Sequence, residues 1–287
     1  MKPRLLLAFV LTGLLITPLA GCGEPEGPSF AAEPPEPEPD DSPFASESYA
    51  GRYRAVGTVL ESAEHGPQLC QHVATSLPPQ CGGPDVVGWS WDGLDHQNVA
   101  GTRWGTFEIV GTYDGKRFTL AEPPRPPGAP RAAAMPDFTS PCPPPPGGWR
   151  VVDDATATDA ALQQALALAE SAPGAAGAWI DQNGGENDPR KLVLNARTTG
   201  DVTAHERRLR AVWGGALCVS PARRTSAELQ RVQAELATLP GILTSGVDVV
   251  ANQVSAEVYV ATDDRRRELD ARFGPGTVRL TGFLEPL

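Results

Sequence analysis

The sequence has little lysine, few aromatic residues and, after its first 21 residues, no long apolar run. Three of its 287 residues are lysine, and aromatic residues make up 6%. No later segment reaches the roughly 20 apolar residues of a membrane-spanning helix, so we expect the rest of the chain to be soluble. The formal net charge is −11, which argues against nucleic acid or anionic lipid as a binding partner.

Recognisable catalytic and metal-binding motifs are also absent from the sequence. It has no Gly-x-Ser-x-Gly, His-Glu-x-x-His or Ser-x-x-Lys spacing, the signatures of three classes of hydrolase. The acidic loop after Asp181 has Glu186 and Leu192 where a helix-loop-helix calcium site requires Gly and Glu. The sequence therefore favours a protein that is not an enzyme and that holds no metal or cofactor. His205 is expected to lie on the surface of a helix.

The amino-terminal residues have the order of a secretory signal peptide. Lys2 and Arg4 precede a mainly apolar run over residues 5–16, and the segment ends in Leu-Ala-Gly-Cys22, which looks like a lipobox. In proteins with this motif, residues 1–21 are cleaved and the cysteine carries acyl chains such as palmitate. Two or more chains anchor a protein stably, so we expect Cys22 to hold the chain on the extracytoplasmic side of the cell membrane. The alternative is an ordinary signal peptide with an unmodified cysteine.

Two proline-rich segments divide the rest of the chain. Residues 22–50 combine seven prolines with eight acidic residues and contain no Lys or Arg. This composition predicts a disordered, extended tether. Residues 122–148 contain eleven prolines and are interpreted as a second linker. Two candidate domains remain, over residues 51–121 and residues 149–287.

Hydrophobic periodicity predicts an α+β fold. In the first domain, a strand over residues 102–113 leads into the hairpin signal Asp114-Gly115. This indicates a small antiparallel β module, which we interpret as a five-stranded barrel of the oligonucleotide/oligosaccharide-binding type. In the second domain, Thr203 opens a predicted helix, as does Thr225, because each has a glutamate at the capping-box spacing. Predicted strands over residues 191–196, 254–260 and 277–283 accompany these helices, which predicts an α+β sandwich with helices on one face.

Four cysteines follow Cys22, and an oxidising compartment favours their pairing as disulfides. Proximity along the chain pairs Cys70 with Cys81, and Cys142 would then pair with Cys218. The alternative is zinc, because the segment also contains two histidines. The candidate ligands would be His65, Cys70, His72 and Cys81. Their spacing does not match a common structural zinc site, so disulfides are the preferred interpretation.

Three tryptophans of the β module are candidate ligand contacts. Trp89 and Trp91 are two residues apart on a predicted strand and should face the same side, and Trp104 lies on a candidate neighbouring strand. Beside acidic residues they could stack on sugar rings. The nearby acids are Asp85, Asp92 and Asp95. The alternative, which we favour, is that these tryptophans fill a small core.

Parts of the sequence resemble known families. An uncharacterised lipoprotein family of GC-rich actinobacteria is similar in the lipobox and in several segments of the first domain. These are GTVLES, EHGPQLC, SLPPQCGGPDVVGWSW and RWGTFEIVGTYDG. In the second domain, GVDVVANQVSAEVYV and LDARFGPGTVRL more distantly resemble pro-segments of secreted bacterial serine proteases. Neither resemblance implies a catalytic residue.

These observations predict a lipid-anchored binding or interaction protein of the cell envelope. Its partners would be the membrane, through the anchor, and an envelope glycan or protein. Two alternatives remain open: an envelope enzyme acting on glycan or peptide, and a protease-binding module suggested by the pro-segment resemblance.

Overall fold

The protein combines strands and helices, which confirms the predicted α+β class. The computed structural model describes residues 49–128, 137–184 and 187–287. In these residues the strands form three sheets, and four α-helices accompany two of them. None of the described helices has the length and apolar character needed to cross a bilayer. The predicted signal peptide, Cys22 and nearly all of the tether lie outside the described residues.

The first sheet is a ring of short and long strands. Its members are β1 (Tyr53–Glu61), β2 (Gln68–Cys70), β3 (Asp85–Val87), β4 (Gln97–Val99), β5 (Thr102–Tyr113), β6 (Arg117–Leu120) and, from the end of the chain, β13 (Glu285–Pro286). Pairing runs from β1 through β2, β3, β6 and β5 back to β1, with β3 and β6 parallel. Because β2 and β3 share only the pair Gln68 and Asp85, the ring is not a clear barrel.

The long strands of the ring form where the sequence alternates. On β1, Tyr53, Ala55 and Val59 are buried, while Arg54 and Val56 point away from the core. The predicted hairpin joins β5 to β6. Its Asp114 Oδ1 accepts hydrogen bonds from the backbone N–H groups of Lys116 and Arg117 at 2.9 and 2.7 Å, which lower the pKa of this carboxyl group.

The remaining elements form two αββαβ units with the same order. The first unit (residues 159–221) contains α1 (Asp159–Ser171), β7 (Ala175–Asp181), β8 (Val193–Thr198), α2 (Val202–Arg210) and β9 (Ala216–Pro221). The second unit (residues 226–282) contains α3 (Ser226–Leu236), β10 (Thr244–Asp248), β11 (Gln253–Val258), α4 (Asp263–Phe273) and β12 (Val278–Gly282). In each unit the first two strands are antiparallel, and the third is parallel to the middle one. The shared connectivity identifies an internal structural repeat.

Helix starts agree with the sequence in one unit and not in the other. At α3 the capping box of Thr225 and Glu228 is present, as predicted. At α2 the predicted start at Thr203 is wrong. Asp201 is the N-cap, because its carboxylate accepts a hydrogen bond from the N–H of Ala204 at 2.9 Å, and Thr203 lies within the first turn.

Part of the second proline-rich segment packs against the first unit. We call residues 137–149 the strap. Its Ser140 N–H donates to Asp181 Oδ2 at 2.8 Å, and its Phe138 carbonyl accepts a hydrogen bond from Trp179 Nε1 at 3.0 Å. Two further strap residues, Cys142 and Trp149, pack on the face of the sheet that carries no helix. Residues 137–148 of the predicted linker therefore help to cover a core of the first unit.

Segments that follow β11 and β12 complete the core of the ring. After β11, the side chain of Val260 lies in the ring's core, and after β12, Leu284 does the same. Tyr259 and Phe283 pack beside them, and β13 then pairs with the start of β1. Segments that follow two strands of the second unit thus complete the core of the ring, whereas the helices and strands of the unit enclose a separate cluster.

Candidate functional site

The Trp loop (residues 88–96) carries two of the predicted ligand contacts. Trp91 is only 7% exposed. Its ring lies against Trp89, Phe107 and His96 with centroid distances of 5.2, 6.1 and 4.8 Å, and its Nε1 donates to Glu61. Trp91 therefore belongs to the core of the ring and presents no free face to a ligand.

A planar platform of three tryptophans does not form. Trp89 is half-buried and meets Trp91 edge to face, at an interplanar angle of 75°. Trp104 is also half-buried, but it alternates along β5 with Arg103, whose guanidinium carbon lies 5.5 Å from the Trp91 ring centre. Trp104 consequently lies on the other face of the strand. The structure brings Trp89 and Trp91 together and leaves Trp104 apart.

A cleft of about 440 Å³ opens beside the Trp loop. We call it the Trp-loop cleft. Alternate residues of the loop form one wall, and the segment that follows β6 forms the other. The lining comprises Gly88, Ser90, Asp92, Leu94, Leu120, Ala121, Glu122, Pro123 and Pro124. A mainly apolar surface with a few placed polar groups is typical of ligand sites.

The polar groups of this cleft are held by neighbours. The hydroxyl group of Ser90 donates to Asp92 Oδ2 at 3.0 Å and accepts from the Asp92 N–H at 3.2 Å. On the opposite wall, Glu122 pairs with Arg52 and lies 3.6 Å from Arg125. The cleft therefore presents one carboxylate fixed by a hydroxyl and another fixed by guanidinium groups.

Only one of the three acids predicted beside the tryptophans lines the cleft. Asp92 does so, whereas Asp85 lies on β3 and accepts a hydrogen bond from Gln68, and Asp95 is exposed outside the lining. Sequence reasoning missed Glu122 because it was assigned to a linker. The two prolines that follow Glu122 were the available signal in the sequence. Because proline fixes φ, consecutive prolines make a stiff segment that can form one wall of a cleft.

All four cysteines after Cys22 are paired as predicted. Cys70 is bonded to Cys81 and Cys142 to Cys218, with Cα–Cα distances of 5.9 and 5.8 Å. The sulfur atoms of Cys70 and Cys81 are therefore not free to bind zinc. The first disulfide closes a loop at the edge of the ring, and the second fixes the strap to β9.

His205 does not lie on the surface, so that prediction is wrong. It is 2% exposed in α2, and both of its ring nitrogens are buried without a hydrogen-bond partner among the described residues. Burial lowers the pKa of His205, and the nearby Arg208 adds to the effect. The sequence signal was available, because His205 precedes the buried Leu209 by four residues, the spacing that places two residues on one helix face.

Comparison with models of protein families and with curated proteins finds no match to this chain. The two resemblances noted in the sequence remain predictions. The candidate site rests on contacts, distances and charges within the described residues.

Proposed function

We propose that the protein is a lipid-anchored binding protein of the cell envelope and that the Trp-loop cleft is its ligand site. The lipobox before Cys22 supports the anchor. Two disulfides support an oxidising, extracytoplasmic location, because such bonds persist there and are rare in the cytosol. The uncharacterised lipoprotein family of GC-rich actinobacteria is the proposed family.

The observation that carries the ligand site is the mixed lining of the Trp-loop cleft. Asp92 and Glu122 offer carboxylate oxygens, and Ser90 offers a hydroxyl group, all on walls that also contain leucine and proline. Carboxylates and hydroxyl groups bind the hydroxyl groups of a sugar, and apolar side chains pack on its C–H faces. An envelope glycan is therefore the ligand class that the cleft fits best.

A second candidate function rests on the same two carboxylates. Most glycoside hydrolases use a pair of Asp or Glu residues on either side of the bond that is cleaved. Asp92 and Glu122 stand on opposite walls of one cleft, so an envelope glycosidase is the alternative. Release of reducing sugar from purified wall glycan by the wild-type protein would favour it.

Binding is tested with the full secreted chain lacking its lipid and with insoluble wall glycan. We expect the wild-type protein to be retained and Asp92→Asn to lower the affinity by about tenfold, as for loss of one charge-assisted hydrogen bond. Asp95→Asn is the matched control, because Asp95 is exposed and outside the lining. Absence of wild-type retention, or equal losses in both variants, would contradict a glycan site in this cleft.

The anchor is tested separately in cells. We expect the wild-type protein to incorporate an alkyne fatty acid and Cys22→Ser to incorporate none and to leave the membrane fraction or remain uncleaved. A wild-type protein that takes up no label and partitions into the aqueous phase of a detergent separation would contradict the lipoprotein proposal without bearing on the cleft.

A further inference from the structure

A second cleft, which we call the loop-end cleft, lies at the end of the ring away from the first described residues. Tyr49 packs on Tyr113 near the start of β1, with 5.0 Å between ring centroids. From there β1 runs for nine residues to Glu61, a distance of roughly 26 Å in extended backbone. The cleft lies beyond that end. It has a volume of about 410 Å³ and is lined by Leu60, Ser62, Ala63, Glu64, His65, Pro78, Pro79, Gln80, Cys81, Ala100 and Thr102.

Both walls of the loop-end cleft are fixed by their own contacts. On one side, Ser62 starts a tight turn in which its N–H donates to the His65 carbonyl at 3.1 Å and its hydroxyl accepts from the Glu64 N–H at 3.1 Å. On the other side, the disulfide to Cys81 and a 2.8 Å hydrogen bond from the Ala74 N–H to the Gln80 carbonyl hold the loop. A ligand would therefore meet a preformed site, which lowers the entropic cost of binding.

Acidic residues outnumber basic ones in this part of the sequence, and three of them pair with arginines. Residues 55–115 contain seven Asp or Glu and a single Arg or Lys, Arg103. That guanidinium is occupied, because it pairs with Glu61 at 2.9 Å and lies over the Trp91 ring. The lining of the cleft includes the carboxylate of Glu64 and no Arg or Lys. A cleft lined by charge of one sign concentrates ligands of the opposite sign.

The other residues of the lining indicate which kind of cation would fit the cleft. His65 Nδ1 lies 2.8 Å from the Gly66 carbonyl, so in the neutral ring Nδ1–H donates and Nε2 remains as an acceptor. The hydroxyl groups of Ser62 and Thr102 supply further acceptors, and Leu60, Ala63 and Pro78 supply apolar surface. An alkyl ammonium group matches this set, because it has three N–H donors on an apolar stem.

We propose that the loop-end cleft binds a primary ammonium group carried on a short aliphatic chain, with Glu64 as its counter-ion. A lysine side chain of a peptide and a free diamine both offer this chemistry. The site is separate from the Trp-loop cleft, so it goes beyond the glycan-binding function and does not depend on it.

Nitrogen-15 NMR of the full secreted chain tests the proposal with three probes: Nα-acetyl-lysine amide, 1,5-diaminopentane and the uncharged Nα-acetyl-norleucine amide. A single solvent-facing ion pair gives weak affinity, so titration extends to about 10 mM. We expect the amides of Ser62, Glu64 and Thr102 to shift with the ammonium probes and not with norleucine amide. Shifts with both ammonium probes or with either one support the site, and their relative affinities distinguish a peptide lysine from a free diamine.

Two variants separate this site from the Trp-loop cleft. Glu64 is exposed, so Glu64→Gln should preserve the fold and weaken the ammonium probes by about fivefold, the size of one exposed ion pair. Asp92→Asn, which removes the proposed glycan contact, should leave their affinity unchanged. No shift with either ammonium probe, equal shifts with norleucine amide, or unchanged affinity in Glu64→Gln would overturn the proposal, whatever the outcome of glycan binding.

Discussion

The two αββαβ units share one order of elements but differ in what covers the sheet face that carries no helix. In the first unit this face is largely buried, with Val193, Ala216 and Cys218 beneath the strap and the buried Asn195 beside them. In the second unit the same face is polar, and each of its residues is at least partly exposed. Register places on it Thr244, Gly246, Asp248, Gln253, Ser255, Glu257, Arg279 and Thr281.

The middle strands explain why only one unit has a strap. Nearly all of β8 is buried, on both faces, whereas β11 alternates between buried and half-buried residues. A strand buried on both faces is covered on both sides, while a strand that alternates in burial can leave one face in water. The pattern of the middle strand thus indicates how many layers each unit needs.

The units also differ in how they are attached to the rest of the protein. A disulfide between Cys142 and Cys218 fixes the strap to the first unit. The second unit instead contacts the ring through Val260 and Leu284, which follow β11 and β12 and lie in the core of the ring. The first attachment is covalent and lies on the sheet of the first unit, whereas the second is apolar and lies in the ring. Substitutions at the two attachments should therefore destabilise different sheets.

The largest expected effect follows from opening the strap disulfide. Cys142→Ser removes a cross-link with a sequence separation of 76, for which chain entropy predicts a loss of about 4 kcal/mol in the free energy of unfolding. Hydrogen exchange should rise in β8 and β9 and stay unchanged in β11. Cys81→Ser is the control, because its shorter separation of 11 predicts about 3 kcal/mol and its effect should lie in the ring. Equal loss of protection in both units would show that the strap is not specific to the first.

The apolar attachment of the second unit to the ring is tested by Leu284→Ala. The side chain is buried, and truncation of a buried leucine costs about 2 to 5 kcal/mol. Exchange should increase in β1 and β12, with β8 unaffected. Leu287→Ala is the matched control, because that side chain is 68% exposed and should change the free energy by less than about 0.5 kcal/mol. A similar cost at both positions would contradict this apolar attachment.

Acid should act first on the first unit, through His205. Burial lowers its pKa below the ordinary value of 6.5, so in acid the unfolded chain binds a proton that the folded protein excludes. The contribution of His205 to the free energy of unfolding is complete above pH 6.5. It decreases as the pH falls below 6.5, by at most about 1.4 kcal/mol per pH unit. Urea unfolding followed between about pH 7 and pH 5 measures this slope.

Two controls test whether this pH dependence of the free energy of unfolding comes from the first unit. His205→Gln should flatten it, and Leu287→Ala, at an exposed position that does not titrate, should not. In the second unit, Arg265 is buried four residues before the buried Leu269, as His205 is before Leu209, and it donates to the Pro240 carbonyl. Arginine remains charged throughout, so the second unit has no matching slope from this position. An unchanged slope in His205→Gln would refute the assignment.

Local signals made the helices, the long strands and the disulfide pairs predictable, whereas long-range contacts did not follow from the sequence. Thr225 was identified because a capping box is complete within four residues. The strap was taken for a linker because proline content does not reveal that a facing strand needs cover. The pairing of β13 with β1 joins the two ends of the described chain. Of the candidate site, Asp92 was predicted and Glu122 was missed, because it lies on a segment brought in by tertiary contacts.

The smallest expected effect compares the first helices of the two units. Thr158 caps α1 through one hydrogen bond, from the Ala161 N–H at 3.2 Å. Thr225 caps α3 in the same way, through a hydrogen bond from the Glu228 N–H. In addition, the Glu228 carboxylate accepts hydrogen bonds from the Thr225 N–H at 2.6 Å and from the Thr225 hydroxyl group at 2.7 Å. Loss of an N-cap costs about 0.5 to 2 kcal/mol, so we expect Thr158→Ala near the lower end of that range and Thr225→Ala near the upper end.

The pH dependence of that difference identifies its cause. Hydrogen bonds from the Thr225 backbone and side chain lower the pKa of Glu228 below its ordinary value of 4.5. The contribution of the Glu228 carboxylate is therefore complete above 4.5 and is lost as the pH falls through the lowered pKa. Free energies of unfolding measured near neutral pH and again in acid should show the gap between Thr225→Ala and Thr158→Ala narrowing. A gap that stays constant would mean that Glu228 plays no part and that the two caps differ for another reason, such as the packing of the threonine methyl groups.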